Sequence, residues 1–310
     1  MSRPIRFFEP ERLYFITSRC HQSQFLLRPD SETTEIVGAV VARGLSLYRV
    51  QLYGFVAMSN HVHAIVQGSP KRIASWARYI FGQIARRVNR LRGRRGAFWG
   101  RRYSAEPILD DTAAWNRLVY LLANPVQSDL VAQSKAWPGF STLHEARGGS
   151  PRSFRWLDTE GLRRTKRSVP CGAEERCTKH HPLTVSALPD AAHWTAERYT
   201  QRLKTLLTAR EQQAAERRRK SGRRIAPMTA LLTVPATDAP RHTKRSHRPL
   251  CHASSAQLTR AYKALYHAFR EAFHDAAEAL RRGQLHVRFP RLAFRPSLPP
   301  LRWGAVPSPS

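Results

Sequence analysis

Residues 48–67 read YRVQLYGFVAMSNHVHAIVQ, and this stretch decides the architecture. Two runs rich in β-branched and aromatic residues, 48–58 and 61–67, are separated only by Ser59 and Asn60. So tight a connection joins two neighbouring antiparallel strands. The first run is apolar on both faces, as expected of a strand with helices on one side and something else packed on the other. In the second, alternation sends Val62 and Ala64 into the layer beneath the helices. His61 and His63, at i and i+2, project together to the opposite face.

Working outward, residues 13–19 (LYFITSR) fit a strand. Residues 31–44 (SETTEIVGAVVARG) fit a helix that Ser31 can cap and Gly44 can stop. In residues 71–91, Ile73, Trp76, Ala77, Ile80, Phe81, Ile84, Val88 and Leu91 recur at helical spacing, with Arg78, Arg86, Arg87 and Arg90 on the other face. A strand is expected over Arg102–Leu109. Asp110 or Asp111 then caps a helix that reaches Asn124 and ends at Pro125. The order β-α-β-β-α-β-α predicts an α+β fold: a ferredoxin-like or RRM-like four-stranded antiparallel sheet with two helices on one face. The last helix, which carries Tyr120, is extra and can cover the other face.

Residues 1–144 read as one compact domain. Residues 145–190, rich in Gly, Ser, Pro and charge, read as a linker or loosely packed extension. Residues 191–310 read as a basic, mostly helical C-terminal region, with helices expected within 191–224 and 255–282, an irregular stretch over 225–254, and a proline-rich tail draped on the surface.

Across 310 residues, 52 Lys and Arg face 22 Asp and Glu, a formal charge of +30. The partner this implies is a polyanion, because counterion release helps drive such association. No apolar run approaches the ~20 residues of a spanning helix, and the start lacks the apolar core of a signal peptide. A cytoplasmic protein is expected. The cysteines are Cys20, Cys171, Cys177 and Cys251. CGAEERCTKHH brings two Cys and two His close, but its five-residue gap exceeds the roughly two to four usual at zinc sites. Reduced, unrelated thiols are the plainer reading.

Two imidazoles on one strand face can be neighbouring ligands of a divalent ion, with a third donor from another element. They can equally be ordinary, partly buried histidines. In DTAAWNRLVYLLANP, Trp115, Leu118, Val119 and Leu122 make an apolar stripe, while Tyr120 and Asn124 fall roughly opposite, one turn apart. An Asn carbonyl can ligate a hard ion. A phenol is a poor nucleophile at its free pKa of about 10, and a nearby cation can lower that barrier. The alternative is a surface tyrosine that hydrogen-bonds to the sheet. Neither a P-loop nor a paired-carboxylate set is present.

MSNHVHAIV, with YLLANPV downstream, resembles the HUH single-tyrosine (Y1) transposases of the IS200/IS605 type, and above all their REP-associated relatives. LYFITSRCH, FWGRRYSAEPILDD and NPVQSDLV…WPGFSTL extend the resemblance over roughly residues 8–144. It implies that His61 and His63 are paired metal ligands, that Asn124 completes the site, and that Tyr120 is the nucleophile. It also implies Mg²⁺ or Mn²⁺, single-stranded or hairpin DNA as substrate, and a homodimer. The activity implied is a single-stranded DNA endonuclease and strand-transferase working through a 5′-phosphotyrosine, in transposition or in processing repetitive hairpin DNA. Two features depart from the family: Ser59, where relatives often carry proline, and the long C-terminal half.

The basic surroundings suit such a substrate. Arg86, Arg87, Arg90, Arg94 and Arg95 precede Trp99, and Arg101 and Arg102 follow it. Arginines hold phosphate while an aromatic stacks on an unpaired base; Trp99 can instead pack against the sheet edge. Arg217, Arg218, Arg219 and Lys220 form a second basic run, for nucleic-acid backbone or as a solvated tail. Two rival functions share these residues: a non-catalytic nucleic-acid-binding regulator with a domesticated domain, and a metallohydrolase using His61, His63 and activated water.

Overall fold

The stretch 48–67 forms the expected hairpin. Strands β2 (Gln51–Met58) and β3 (His61–Gln67) pair antiparallel from Gln51 opposite Gln67 to Met58 opposite His61, once β1 (Leu13–Arg19) and α1 (Ser31–Tyr48) have preceded them. Then come α2 (Pro70–Leu91), β4 (Ser104–Ile108), α3 (Asp111–Leu122) and the single turn α4 (Asn124–Gln127). The computed structural model describes residues 5–168, 172–240, 249–294 and 296. All pairings in the four-stranded sheet are antiparallel, and its order is β2-β3-β1-β4. With its flanking helices this is an α+β fold consistent with a generic ferredoxin-like arrangement.

Alternation divides the sheet between two cores. Tyr14, Ile16, Leu52, Val62, Ala64 and Val66 pack with Val37 and Val41 of α1 and with Trp76, Ile80 and Ile84 of α2. Leu13, Phe15, Val56 and Ile65 pack on the other side with Trp115, Leu118, Leu121 and Leu122 of α3. Each fully buried aliphatic side chain is worth roughly 1.5–3 kcal/mol, so neither face of the sheet could be left to water.

The helix ends differ from those expected. Asp30, not Ser31, caps α1 by accepting from the Thr33 N–H at 2.9 Å. The helix runs through Gly44 to a left-handed stop at Arg49 (φ 50°, ψ 44°). Gly44 serves packing instead, since a Cβ there would lie 2.6 Å from Ile80 Cδ1. Asp110 caps α3 through the Ala113 N–H. The helix stops at Leu122, and Pro125 sits inside the following turn rather than terminating the first helix.

Residues 145–190 carry more structure than a linker. After α5 (Leu143–Ala146), strands β5 (Ser153–Leu157) and β6 (Thr178–Pro182) pair antiparallel around α6 (Thr159–Ser168) and α7 (Ala173–Arg176). Phe154, Trp156 and Leu183 are buried in the core that α1 shares. Beyond them lie α8 (Ala196–Ser221), α9 (Met228–Thr233), inside the stretch expected to be irregular, and α10 (Ala256–Arg281). Tyr199, Leu203 and Leu207 of α8 join the core around α3, and Trp115 stacks on Trp194 at 5.9 Å and Tyr199 at 5.2 Å. α10 is tied to the chain start by Phe7–Phe269 packing at 4.5 Å and a bond from the Tyr266 hydroxyl to the Ile5 carbonyl. No helix among the described residues is long and apolar enough to cross a membrane.

Two predictions test this packing. A Cβ on Gly38 would come within 2.1 Å of the Phe154 ring. Gly38→Ala should therefore cost about 1–3 kcal/mol in a denaturant titration, and an unchanged midpoint would mean that the β5–β6 hairpin does not dock on α1. The second concerns Asp30. Burial pushes its carboxyl up, but bonds from Arg92, Thr33 and Arg28 outweigh that and hold it at about 2. Its contribution is fully present above its ordinary value of 3.8 and is lost as pH falls through about 2. Asp30→Asn should lower Tm at neutral pH and flatten the acid limb of the stability curve across that window. Parallel acid limbs in the two proteins would count against this.

Candidate active site

The alternation of β3 places His61 and His63 on the α3 side of the sheet. Arg19 and Thr17 of β1 lie opposite them in register. The two imidazoles are 4.8 Å apart, centroid to centroid, and His63 stacks on Phe15 at 5.0 Å. The Tyr120 ring stands 5.8 Å from His63 and 6.1 Å from Phe15, edge-on to both. The helix that carries the tyrosine therefore packs on the strand that carries the histidines. α8 covers α3 as well, so Tyr120 is half-buried and Asn124 buried rather than on a spare face.

Each imidazole is held through Nδ1. Asn60 Oδ1 lies 2.7 Å from His61 Nδ1, and Thr17 Oγ1 lies 2.8 Å from His63 Nδ1. With the proton on Nδ1, each ring keeps a lone pair on Nε2, the arrangement in which outer partners orient a metal-binding histidine. Burial pushes the His61 imidazolium down to about 3, assisted by the Arg19 charge and opposed by the Asn124 amide. Burial, then the charges of His61, Arg19 and Arg117, hold His63 well below the usual range. Both rings are thus neutral at physiological pH.

The donor set fits a divalent cation. Asn124 opens α4, its amide interacts with His61, and its Oδ1 is buried without a hydrogen-bond donor. An orphaned acceptor costs on the order of 1–3 kcal/mol, and beside two imidazole lone pairs a cation would relieve it. Among the described residues no group of three or more His, Cys, Asp or Glu gathers to hold a metal. Cys171 lies outside the described residues, and a zinc site with Cys177 has no support among the others.

Other groups reach the site that sequence reasoning passed over. The Arg117 guanidinium lies 4.8 Å over the Tyr120 ring; its three-residue spacing from Tyr120 was a legible signal. Glu106 of β4 sits opposite Phe15 and bonds His252 Nε2 at 3.0 Å. His252 bridges to Ile108 at the sheet edge and packs edge-on to Phe15 at 5.3 Å. Nothing in the local sequence around His252 announced that contact.

The expected nucleic-acid-binding residues divide. Arg86, Arg90, Arg95, Arg101 and Arg102 are exposed. Arg87 lies 3.6 Å over the Trp156 ring and donates to the Leu157 carbonyl. Arg94 donates to Asn89, Ala97 and Gln24. Trp99 packs on Phe81 at 5.1 Å and donates to its carbonyl at 2.8 Å. Arg218 is buried, Arg217 and Arg218 both reach Asp129, and Arg219 and Lys220 pair with Glu216.

Two solved structures are weakly similar to this chain. One is a REP-associated tyrosine transposase bound to a REP hairpin, 19% identical, covering 48% of this chain and 86% of its own, with a TM-score of 0.39. The other is a candidate transposase from Deinococcus radiodurans, 15% identical, covering 38% and 93%, with a TM-score of 0.28. No family model matches the sequence, and comparison with curated proteins finds no match. Likeness at this level assigns neither a family nor an activity.

A cation at about a hundredfold its Kd stabilises its site by roughly 2.7 kcal/mol. Mn²⁺ should therefore raise Tm by several degrees in the intact protein, less in Asn124→Ala, and not at all in a His61→Ala, His63→Ala double variant. Equal shifts in all three would place the ion elsewhere.

Proposed function

We propose that the protein is a metal-dependent single-stranded DNA endonuclease and strand-transferase acting through a 5′-phosphotyrosine on Tyr120. One observation carries this reading: a half-buried tyrosine packs edge-on to His63, beside a second neutral imidazole and an unsatisfied amide oxygen. In this reading Tyr120 of α3 is the nucleophile, and His61 and His63 of β3 with Asn124 of α4 are the three cation donors. The sheet order is consistent with a generic ferredoxin-like or RRM-like arrangement.

The chemistry follows from the groups present. The Tyr120 oxygen attacks the phosphorus of a DNA phosphodiester and gives up its proton to water. The bond to the 3′ oxygen breaks, and that oxygen takes a proton to leave as a free 3′-OH. The 5′-phosphate stays on the tyrosine, so an incoming 3′-OH reverses the step without ATP. Mg²⁺ or Mn²⁺ held by His61, His63 and Asn124 would stabilise charge on the phosphate and leaving oxygens. The exposed arginines Arg86, Arg90, Arg95, Arg101 and Arg102 offer counter-charge to single-stranded or hairpin DNA, and a homodimer remains part of this reading.

Purified protein incubated with labelled hairpin single strands and Mn²⁺ should form a denaturation-resistant protein–DNA adduct, and Tyr120→Phe should abolish it. Equal adducts in both proteins would remove Tyr120 from the role. Cleavage without an adduct would favour the metallohydrolase. Tight, salt-sensitive binding with no cleavage in any divalent ion would favour a non-catalytic regulator.

A further inference from the structure

The charge-rich helix α8 satisfies most of its arginines near its C-terminus. Arg217 and Arg218 share Asp129 with Arg223, which lies just past the helix end, and Arg219 takes Glu216. One position behaves differently. The buried stripe of α8 runs Tyr199, Leu203, Leu207, Ala214, Arg218, and Arg210 falls on it, three residues after Leu207 and four before Ala214. It is half-buried. The stripe packs in one core with Leu118 and Val119 of α3, the helix whose Arg117 lies over Tyr120, and the Arg210 charge is felt at Arg117.

Arg117 is half-buried too. Among the described residues neither arginine forms an ion pair or a hydrogen bond. The acid best placed to pair with Arg117, Glu106, is engaged by His252 at 3.0 Å. After burial, and against the opposing influence of Tyr120, the charge of Arg210 depresses the Arg117 guanidinium, as two neighbouring cations must. Two partly buried guanidiniums that form no ion pair, with Glu106 acting on Arg117 only through its charge, are an unfavourable arrangement until an anion arrives. Their forked donors match phosphate oxygens in pairs.

We infer that Arg117 and Arg210 form the seat for the scissile phosphate beside Tyr120, with Arg117 donating to its non-bridging oxygens as the tyrosine attacks. This rests on the function proposed above and adds residues to it, one of them from the C-terminal region. No proton is transferred by either arginine. Their task is to hold the phosphate over the nucleophile and to stabilise the charge that builds on it.

The test uses the full-length protein and a fluorescent hairpin single strand, with two readouts. Binding is measured across a salt series, and adduct formation is timed in Mn²⁺. Arg117→Gln and Arg210→Gln should each lower the slope of log K against log salt by about 0.7, the value for one phosphate contact on a single strand. Arg117→Gln should also slow adduct formation on the order of a hundredfold. Arg117→Lys should recover the slope but not the rate, a split that loss of packing alone would not produce. An unchanged slope overturns the seat, as does a slope that falls while the adduct rate holds. If the intact protein forms no adduct yet the Arg117→Gln slope still falls, the tyrosine reading fails and the phosphate seat stands. If the intact protein forms an adduct and Arg117→Gln matches it in rate and slope, the seat fails and the tyrosine reading stands.

Discussion

A buried imidazole is tolerated only when its ring nitrogens are accounted for, and the face of β3 that carries His61 and His63 is arranged around that requirement. Each Nδ1 has an oxygen partner, Asn60 or Thr17, and Phe15 covers the His63 ring. Thr17 can serve only because β1 pairs with β3 in the register that sets it opposite His63. A slip of one residue would turn the histidines into the core of α1 and α2 and bring Val62 and Ala64 to the other face. The same register that closes both cores therefore orients the two lone pairs.

The parts of this arrangement set by local periodicity were legible in the sequence. Alternation put the histidines on one face, and helical spacing put Tyr120 one turn before Asn124. That α3 lies on the histidine face is a tertiary fact, because an amphipathic helix names the side it buries but not the surface it buries it against. The partners at Nδ1 were equally hidden, since Thr17 precedes His63 by 46 residues and meets it only across the ladder. Gly44 misled because a glycine near a helix end has two uses, and here close approach to Ile80 won over chain reversal. The β5–β6 hairpin was missed because its five-residue strands carry Arg, Lys and His on exposed positions, leaving Phe154, Trp156 and Leu157 of β5 as a short apolar signal.

Charge was the least legible property. The run at Arg217–Lys220 looks like a binding patch, yet Asp129, 88 residues from Arg217, pairs with two of its arginines and Arg218 is buried. The partner sits in a different part of the chain, and no window on the basic run could reveal it. Trp99 likewise spends its ring on Phe81 and its N–H on a carbonyl. Such ion pairs decide where on the surface the net charge of +30, which already counts every acid, is presented. Arg86 and Arg90 of α2 and Arg95, Arg101 and Arg102 of the loop before β4 stay exposed, and so do Arg217, Arg219 and Lys220 of α8.

The pairing of Asp129 with α8 bears on the site itself. A single turn such as α4 has little stability of its own, since helix nucleation is unfavourable and repaid only by length or packing. α4 is held at its far end instead. The Leu130 N–H bonds the Pro125 carbonyl, Arg218 reaches the Val126 carbonyl, and Arg217 reaches that of Gln127. Asn124 opens this turn, so the buried amide beside His61 takes its position from contacts that originate in α8. The first 144 residues supply all four residues that the family resemblance singles out. The helix that fixes the last of them comes from the half of the chain in which the sequence pointed only to a basic run at Arg217–Lys220.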